Sequence, residues 1–225
     1  MTPLQFVHAL QLTDSFFPVG AFAYSDGLET ATANGTVHDA ESLKIWITHF
    51  LENVFVPCDG LALLKCAEAF RLNDLPAICA IDDELTAIKP SAAVRNASRS
   101  VGKRLLAAYS DISRDPSFAA IVETLPQCNA PVAYALVMSH RGIDCRDALL
   151  AFGYSRMAGI VSAGLRLISM GQQQAQALLS EALERLPDAA DRIVGMKLEP
   201  LRSFAPLMDI SQMNHRYVYS RLFRS

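Results

Sequence analysis

The residue types that most often carry enzyme chemistry occur together at one place in this sequence. His140, Asp144 and Cys145 lie close in the chain, and a thiol beside an imidazole base is the arrangement of a cysteine nucleophile. Gly142 separates the histidine from the cysteine, so we expect a turn between them, and the two side chains need not converge. A small hydrolase that uses Cys145 or His140 is therefore kept as the third of three hypotheses.

No other pattern in the sequence is typical of catalysis or of a bound metal. The acidic run Asp82-Asp83-Glu84 falls in a predicted helix, where successive side chains point about 100° apart, so it indicates a solvated face. The glycine-rich motifs of nucleotide-binding loops and the motifs of zinc proteases and serine hydrolases are absent. The five cysteines form no CxxC pair and no Cys/His quartet, which indicates small buried residues without disulfides.

One helical face in the middle of the chain is basic. Arg95, Arg99 and Lys103 fall at positions i, i+4 and i+8, in a stretch without carboxylates. No aromatic residue follows until Tyr109, so the stretch lacks the interleaved rings of single-stranded nucleic-acid sites. We predict that Arg95–Arg104 lies on a solvent-exposed face that contacts an acidic protein surface. A solvated face without a partner is the alternative.

Composition and charge limit the class of protein. Of the 225 residues, 51% are apolar and only 19% are charged, which is typical of a globular chain and not of a disordered one. The net charge of −3 makes sequence-independent binding of nucleic acid unexpected. Residues 1–94 carry four basic and twelve acidic side chains, a balance of −8, and the remaining residues carry +5. This asymmetry suggests a bipolar surface that meets charged partners.

Signals for export or membrane insertion are not apparent. The N-terminus has no basic region ahead of an apolar one, as a signal peptide would. The longest charge-free stretch, residues 124–140, contains two prolines and is not predicted to span a membrane. Together with the unpaired cysteines, these features predict a cytoplasmic protein without a membrane partner.

The elements that must position all of these residues are helices. Ala and Leu clearly outnumber Val, Ile and Thr, and no stretch alternates apolar and polar residues as a strand does. We predict an all-α fold, a single compact domain over residues 1–225 with about 8 to 10 helices around a buried central helix within 148–180. One clear helical face downstream of Asp39 consists of Leu43, Trp46, Ile47, Phe50, Leu51 and Val54.

Proline, glycine and capping residues predict the helix boundaries. Pro57 and Asp59-Gly60 are expected to end one helix and open the next, and Gly171 is expected to interrupt another. The first helix is predicted to turn one face inward, formed by Leu4, Val7 and Leu10. Helix starts are placed near Asp39, Asp74, Pro90, Asp115, Asn129 and Asp144.

Two segments are richer in aromatic residues than a loop or a chain end usually is. Residues 11–29 read QLTDSFFPVGAFAYSDGLE, with a predicted turn at Pro18-Val19-Gly20 and a capping-box spacing between Asp26 and Glu29. Residues 204–225 read FAPLMDISQMNHRYVYSRLFRS, with four large apolar side chains among arginines near the end. Rings on such segments either fill the core of their own chain or anchor a partner.

Both segments resemble signatures of the UreF family of urease accessory proteins. QLTDSFFPVGAFAYSDGLE is similar to the N-terminal signature, and APLMDISQMNHRYVYSRLFRS is similar to the C-terminal one. Two weaker similarities lie between them, SVGKRLL at 100–106 and SAGLRLISMGQ at 162–172. The order and spacing of the four segments fit a member of this family over nearly the whole chain.

The resemblance implies an all-α, often dimeric cytoplasmic protein without catalytic activity. Members bridge UreD, also called UreH, and the GTPase UreG, and the complex delivers nickel to apo-urease in a GTP-dependent way. No tightly bound cofactor is implied, and nickel would contact the chain at most transiently. The candidate partner-binding residues are Phe16, Phe17, Pro18, Gly20, Phe22, Tyr24, Ser25, Gly27, Glu29, Arg95, Arg99, His215, Tyr217, Tyr219, Arg221, Leu222, Phe223 and Arg224.

Two further expectations are open to a structural test. From about Gln212 we expect the tail to be mobile or differently placed in the free protein and to order against UreD, whereas the alternative is that it packs on its own body. The second hypothesis for function is an all-α ligand-binding or regulatory domain. In it, a central helix lined by Gly153, Gly159 and Gly164 borders a small-molecule cavity.

Overall fold

The computed structural model describes residues 1–224, and within them every regular element is helical, which confirms the predicted all-α class. Ser225, the last residue of the C-terminal signature, lies outside the described residues. The α-helices are α1 (Pro3–Thr13), α2 (Leu28–Ala33), α3 (Ala40–Phe50), α4 (Leu61–Arg71), α5 (Leu75–Ile88), α6 (Ala92–Ser113), α7 (Pro116–Thr124), α8 (Ala130–His140), α9 (Cys145–Leu167), α10 (Gln172–Glu184), α11 (Leu186–Gly195) and α12 (Pro206–Asn214). Short 3₁₀ turns cover Ala21–Ala23 and His215–Tyr217.

Aspartates begin several of these helices, as predicted. The carboxylates of Asp39, Asp74 and Asp144 accept hydrogen bonds from backbone N–H groups in the first turns of α3, α5 and α9. Each bond satisfies a donor that the helix itself leaves unpaired. The predicted capping box at Asp26 and Glu29 is wrong, because Gly27 is the residue that precedes α2 and the Glu29 side chain turns elsewhere.

The predicted break at Pro57 is also wrong. A π-helical segment, Leu51–Gly60, joins α3 to α4 in one continuous helix, with Pro57 inside it. In an α-helix an interior proline removes one hydrogen bond and clashes with the carbonyl four residues earlier. The wider π turn changes that spacing and accommodates the ring. Two carbonyls of the segment are used by the C-terminal part of the chain, since Asn53 accepts from Phe204 and Pro57 accepts from Arg202.

Helices α8 and α9 form the centre. Every residue from Pro131 to Met138 of α8 is buried, whereas α9 buries one face and leaves the other open. A Cβ on Gly153 would lie 2.5 Å from a methyl group of Leu186, so this glycine permits close packing. Gly159 differs, because beyond its own helical backbone and chain neighbours no described atom lies within 4 Å of the position that a Cβ would take. The open face of α9 therefore borders a space within the fold.

Helix α1 presents its apolar face in the direction opposite to the prediction. Ala9 and Leu12 are buried, whereas Leu4, Val7 and Leu10 are between 53% and 66% exposed. The Gln5 amide of α1 donates to the carbonyl of Gly142, in the loop before α9. An uncharged, exposed apolar ridge results.

Candidate functional site

The structure gives His140 hydrogen-bond partners other than Cys145. The Nδ1 of His140 lies 2.7 Å from the Tyr109 hydroxyl and its Nε2 lies 3.0 Å from Asp115. Both ring nitrogens are thus occupied, and neither faces Cys145. Burial raises the pKa of the Cys145 thiol, which disfavours the nucleophilic thiolate. His140 instead joins the end of α8 to α6 and to the start of α7.

Asp115, at the outer end of this chain of hydrogen bonds, is strongly held in its charged form. The Ser117 hydroxyl, followed by His140, lowers the pKa of Asp115 from 3.8 to about 2. Tyr109, the other hydrogen-bond partner of His140, is almost fully buried and packs edge-on against Phe118, with ring centroids 5.0 Å apart. A substrate could not reach this tyrosine, so the cluster is structural.

The acidic run contains a buried anchor that the sequence reasoning missed. Asp82 is fully buried, and its carboxylate accepts hydrogen bonds from the backbone N–H groups of Gln127, Cys128 and Asn129 at 2.6–3.0 Å. Its neighbour Asp83 is exposed. The expectation of a solvated face is therefore wrong for Asp82, because the donors come from a loop 45 to 47 positions away.

The aromatic N-terminal segment divides its rings between core and surface. Phe17 is 5% exposed and Phe16 is 95% exposed. Phe22 is also exposed, Tyr24 is half-buried, and the turn is made by Gly20, whose φ of 69° lies in the left-handed region that favours glycine. Phe17 therefore anchors the loop, and the two exposed rings remain available to a partner.

Glu29 joins the two ends of the chain. Its carboxylate lies 2.7 Å from Nε2 of His215 and accepts the backbone N–H groups of Leu222 and Phe223. Glu29 and His215 are both buried, at 4% and 3% exposure. A buried carboxylate needs such partners, since an unpaired one would be strongly unfavourable. We call the contact of residues 20–29 with residues 212–224 the clasp.

Further bonds reinforce the clasp. The Gln212 amide donates to the carbonyl of Asp26 at 3.3 Å, and the Asp26 carboxylate lies 2.7 Å from a guanidinium nitrogen of Arg156 on α9. Gly27 is required here, because its φ is 86° and a Cβ would lie 2.9 Å from the Gln212 side chain. Ser25 is buried in the same turn. The two chain ends are therefore packed together and onto α9.

The tail does not have the detached placement that we expected for the free protein. Phe223 is 4% exposed and lies beneath the guanidinium of Arg166, 4.2 Å from the ring centroid. The backbone N–H of Arg224 donates to the carbonyl of Ala23 at 2.8 Å. The alternative, a tail packed on its own body, is what the structure has. Three large side chains still point outward, namely Tyr217, Tyr219 and Leu222, and the Arg221 and Arg224 side chains are exposed as well.

The basic face of α6 is only partly free. Arg95 donates to the carbonyls of Lys89 and Pro90 at 2.6 and 2.9 Å, and Arg99 donates to the Gln127 amide oxygen at 2.9 Å. Both arginines are half-buried, so the predicted solvent-exposed face is wrong for them. Lys103 and Arg104 at the other end of the stretch are exposed. Arg104 donates to the carbonyl of Val19 at 3.4 Å, one residue before the clasp begins.

A groove of about 590 Å³ lies beside the clasp, against the open face of α9. Tyr154, Gly159 and Ser162 line it on the α9 side, and α6, α8 and the N-terminal segment supply the other walls. Among its lining groups is a buried ion pair between Lys89 and Asp59, 2.7 Å apart. A cavity thus borders α9, but of the three glycines expected to line it only Gly159 does so, because Gly153 and Gly164 pack against Leu186 and Leu43.

Metal-binding groups are scattered. Within residues 1–224 no three His, Cys, Asp or Glu side chains meet in a geometry that could hold a metal ion. All five cysteines are free, and burial raises the pKa of Cys58 to about 12. A buried thiol of this kind stays protonated and is a poor ligand.

Two helical stretches are long and apolar enough to cross a bilayer by length and composition, Ala40–Arg71 and Cys145–Leu167. Core helices of globular proteins pass the same test. In the most apolar window of each stretch, 72% and 50% of the residues are buried inside the fold. The apolar character of both is thus used at least in part for packing.

Comparison with known proteins identifies the family. The model of the UreF family matches residues 37–183. The urease accessory protein UreF of Nostoc sp. is 29% identical over 226 residues and covers 100% of this chain and 98% of the relative. The corresponding protein of Methylobacillus flagellatus is 31% identical, with 97% of each chain covered. That of Rhodopseudomonas palustris is 34% identical over 210 residues, 93% of this chain and 86% of the relative. The chain therefore belongs to the UreF family of urease accessory proteins.

Proposed function

We propose that this protein is a non-catalytic adaptor of urease maturation. It holds UreD (UreH) and the GTPase UreG in one complex, so that nickel is inserted into apo-urease in a GTP-dependent way. Membership of the UreF family gives the role in urease maturation. The bridging, the partners, the cytoplasmic location and a homodimeric state are parts of the proposal. Nickel is cargo of the complex and contacts this chain at most transiently.

The clasp is the observation that carries the proposal. The buried carboxylate of Glu29 holds the N-terminal and C-terminal segments together. Several large side chains of these two segments remain exposed. Phe22, Tyr217 and Leu222 are 65%, 69% and 60% exposed on neighbouring parts of it. Exposed aromatic groups on a fixed backbone beside arginines are typical of interface hot spots. Such a surface suits an adaptor.

Charge supports a partner of opposite sign. The side chains of Lys103, Arg104, Arg221 and Arg224 are exposed and basic. The planar guanidinium group of arginine binds carboxylates well. An acidic partner surface would meet them with complementary charge. Electrostatic complementarity mainly raises the association rate, so binding should weaken as salt increases.

Co-elution with UreD and UreG homologues, followed by activation of apo-urease with nickel and GTP, tests the proposal. The informative variant is Leu222→Asp, because that side chain is 60% exposed while its backbone N–H alone serves the clasp. Leu198→Asp is the matched control, 91% exposed and outside both aromatic segments. We expect Leu222→Asp to lose UreD and urease activation and the control to retain both.

Three outcomes would contradict the proposal. The first is GTP hydrolysis by the protein in the absence of UreG. The second is urease activation that does not require the protein. The third is unchanged UreD binding by Leu222→Asp, which would remove the clasp surface from the interface.

A ligand-binding role is the second candidate, favoured by the groove beside α9. Its volume of about 590 Å³ is within the usual range for small-molecule sites, and Tyr154 and Ser162 offer hydroxyl groups to a ligand. Native mass spectrometry of the purified protein would reveal a bound metabolite. A bound metabolite together with failure to bind UreD and UreG would favour this role over the adaptor.

A further inference from the structure

A second, smaller groove of about 390 Å³ lies between α3 and the segment that leads into α12. Its first wall is a face of α3 on which Ile45 is 53% exposed. Its second wall is the segment Phe204–Met208, which leads into α12, and residues 36 and 37 close one end. The α3 wall consists of Ser42, Ile45, Trp46, His49 and Asn53, the last of which continues it into the π segment. We call this site the Trp46 groove.

The π segment fixes the second wall in place. The carbonyl of Asn53 accepts the N–H of Phe204 at 3.4 Å, and that of Pro57 accepts the N–H of Arg202 at 3.0 Å. These bonds hold the backbone of residues 202–204 beside the helix while the Phe204 side chain is 79% exposed. The groove is therefore a built feature of the fold and not a gap between mobile loops.

Trp46 forms part of the floor and has an unsatisfied donor. The residue is 3% exposed, and its indole N–H has no hydrogen-bond acceptor among the described residues. Buried tryptophan N–H groups usually have a partner, and leaving one without an acceptor costs about 1–3 kcal/mol. The nitrogen is itself shielded from solvent, so the groove offers an occupant the small exposed part of the Trp46 ring and not its N–H.

The rim of the groove is apolar and continues into the clasp. Ile45 and Leu207 are 53% and 52% exposed on opposite walls. From Leu207 the exposed face of α12 runs through Ile210 and Met213, each one helical turn further, toward Tyr217 beside the clasp. The groove and the surface of the proposed function thus share one apolar stripe.

Charge indicates the kind of partner that would lie along this stripe. Residues 201–224 contain four arginines and a single acid, Asp209, so their balance is +3. All four arginine side chains are exposed. A partner segment with acidic side chains flanking large apolar ones would match both the stripe and its flanks.

We propose that the Trp46 groove receives a large apolar side chain from an acidic amphipathic segment of the partner that docks on α12 and the clasp. The inference rests on the proposed function, in which that partner is UreD, and adds an anchoring pocket to its interface. Truncating such an anchor weakens complexes tenfold or more.

Trp46 is the single tryptophan of the chain, so it reports on its own groove. We would incorporate 5-fluorotryptophan and record the ¹⁹F signal before and after adding the UreD homologue. Affinity would be measured for wild type, for Ile45→Arg and for Leu207→Arg. The matched control is Ile112→Arg, a 47% exposed isoleucine on α6 away from the groove. Melting temperatures would show that all variants fold.

We expect a shifted ¹⁹F signal with the partner bound, at least tenfold weaker binding for both groove variants, and no change for the control. The affinity of wild type for the UreD homologue should also fall as the salt concentration rises. An unmoved signal at saturation, or groove variants that bind like wild type, would overturn the inference while the proposed function stands. No UreD binding by wild type would overturn both. A ¹⁹F shift that follows protein concentration without UreD would assign the groove to a second copy of the chain instead.

Discussion

Replacing Asp82 by asparagine keeps the size of the side chain and removes one acceptor oxygen. In the structure the two carboxylate oxygens receive four N–H donors, two each, from residues 127–129. Asparagine has one oxygen, so in either orientation two donors would face an NH₂ group. A hydrogen bond to a charged group contributes about 1.5–3 kcal/mol, so Asp82→Asn should lose about 3–6 kcal/mol of unfolding free energy. The loop that it anchors leads directly into α8, the most buried helix.

Urea unfolding followed by far-ultraviolet circular dichroism would measure this loss. Asp83→Asn is the control, since that carboxylate is exposed and is reached by one hydrogen bond, from the Gln127 amide at 3.3 Å. Its unfolding free energy should change by no more than about 0.5 kcal/mol. If Asp82→Asn were within about 1 kcal/mol of wild type, the buried carboxylate would not be the anchor of α8, and the reasoning would be refuted.

Three further predictions follow from the packing and the pKa values. In the folded protein the pKa of Asp115 is about 2, below its ordinary value of 3.8, so its charged form stabilises the fold at pH values above 3.8. This contribution is lost as the pH falls from 3.8 through about 2. The melting temperatures of wild type and Asp115→Asn should therefore converge over that interval, and a constant difference would contradict the assignment. Gly102→Ala should lower the unfolding free energy by about 2 kcal/mol or more, because a Cβ would overlap the backbone of residues 128–129. Gly159→Ala has open space and a better helix propensity, so it should raise the unfolding free energy by up to about 1 kcal/mol. Urea titrations would measure both changes. Phe223→Ala should lower the unfolding free energy by about 3 kcal/mol and Tyr219→Ala should leave it unchanged, since the first ring is buried and the second is fully exposed; equal effects would show that the tail is not packed.

The helical architecture was predictable because its signals are local. Asp39, Asp74 and Asp144 cap the first turns of the helices that follow them, so residues three or fewer positions apart determine the start. The apolar face of α3 was likewise identified from spacing, and Leu43, Trp46 and Phe50 are buried. Contacts between residues this close in the chain can be predicted from the sequence alone.

The candidate site was predictable only as two segments. The spacing of Asp26 and Glu29 resembles a capping box. It gives no indication that the Glu29 carboxylate contacts the His215 ring. The same holds for Asp82, whose run of three acids is typical of a solvated face. Both carboxylates are satisfied by donors far away in the chain, and the apolar face of α1 was misplaced because spacing does not say which face meets a neighbour.

The clasp has a consequence for synthesis on the ribosome. Glu29 is separated from His215 by 186 positions and from Phe223 by 194. At translation rates of about 5–20 residues per second, roughly 10 to 40 s pass between the synthesis of Glu29 and that of Phe223. During that time the N-terminal aromatic segment lacks its cover, and its acidic group lacks its donors. The nascent chain therefore displays Phe22 and its neighbours until residues 212–224 have been synthesised, and the clasp cannot close before then.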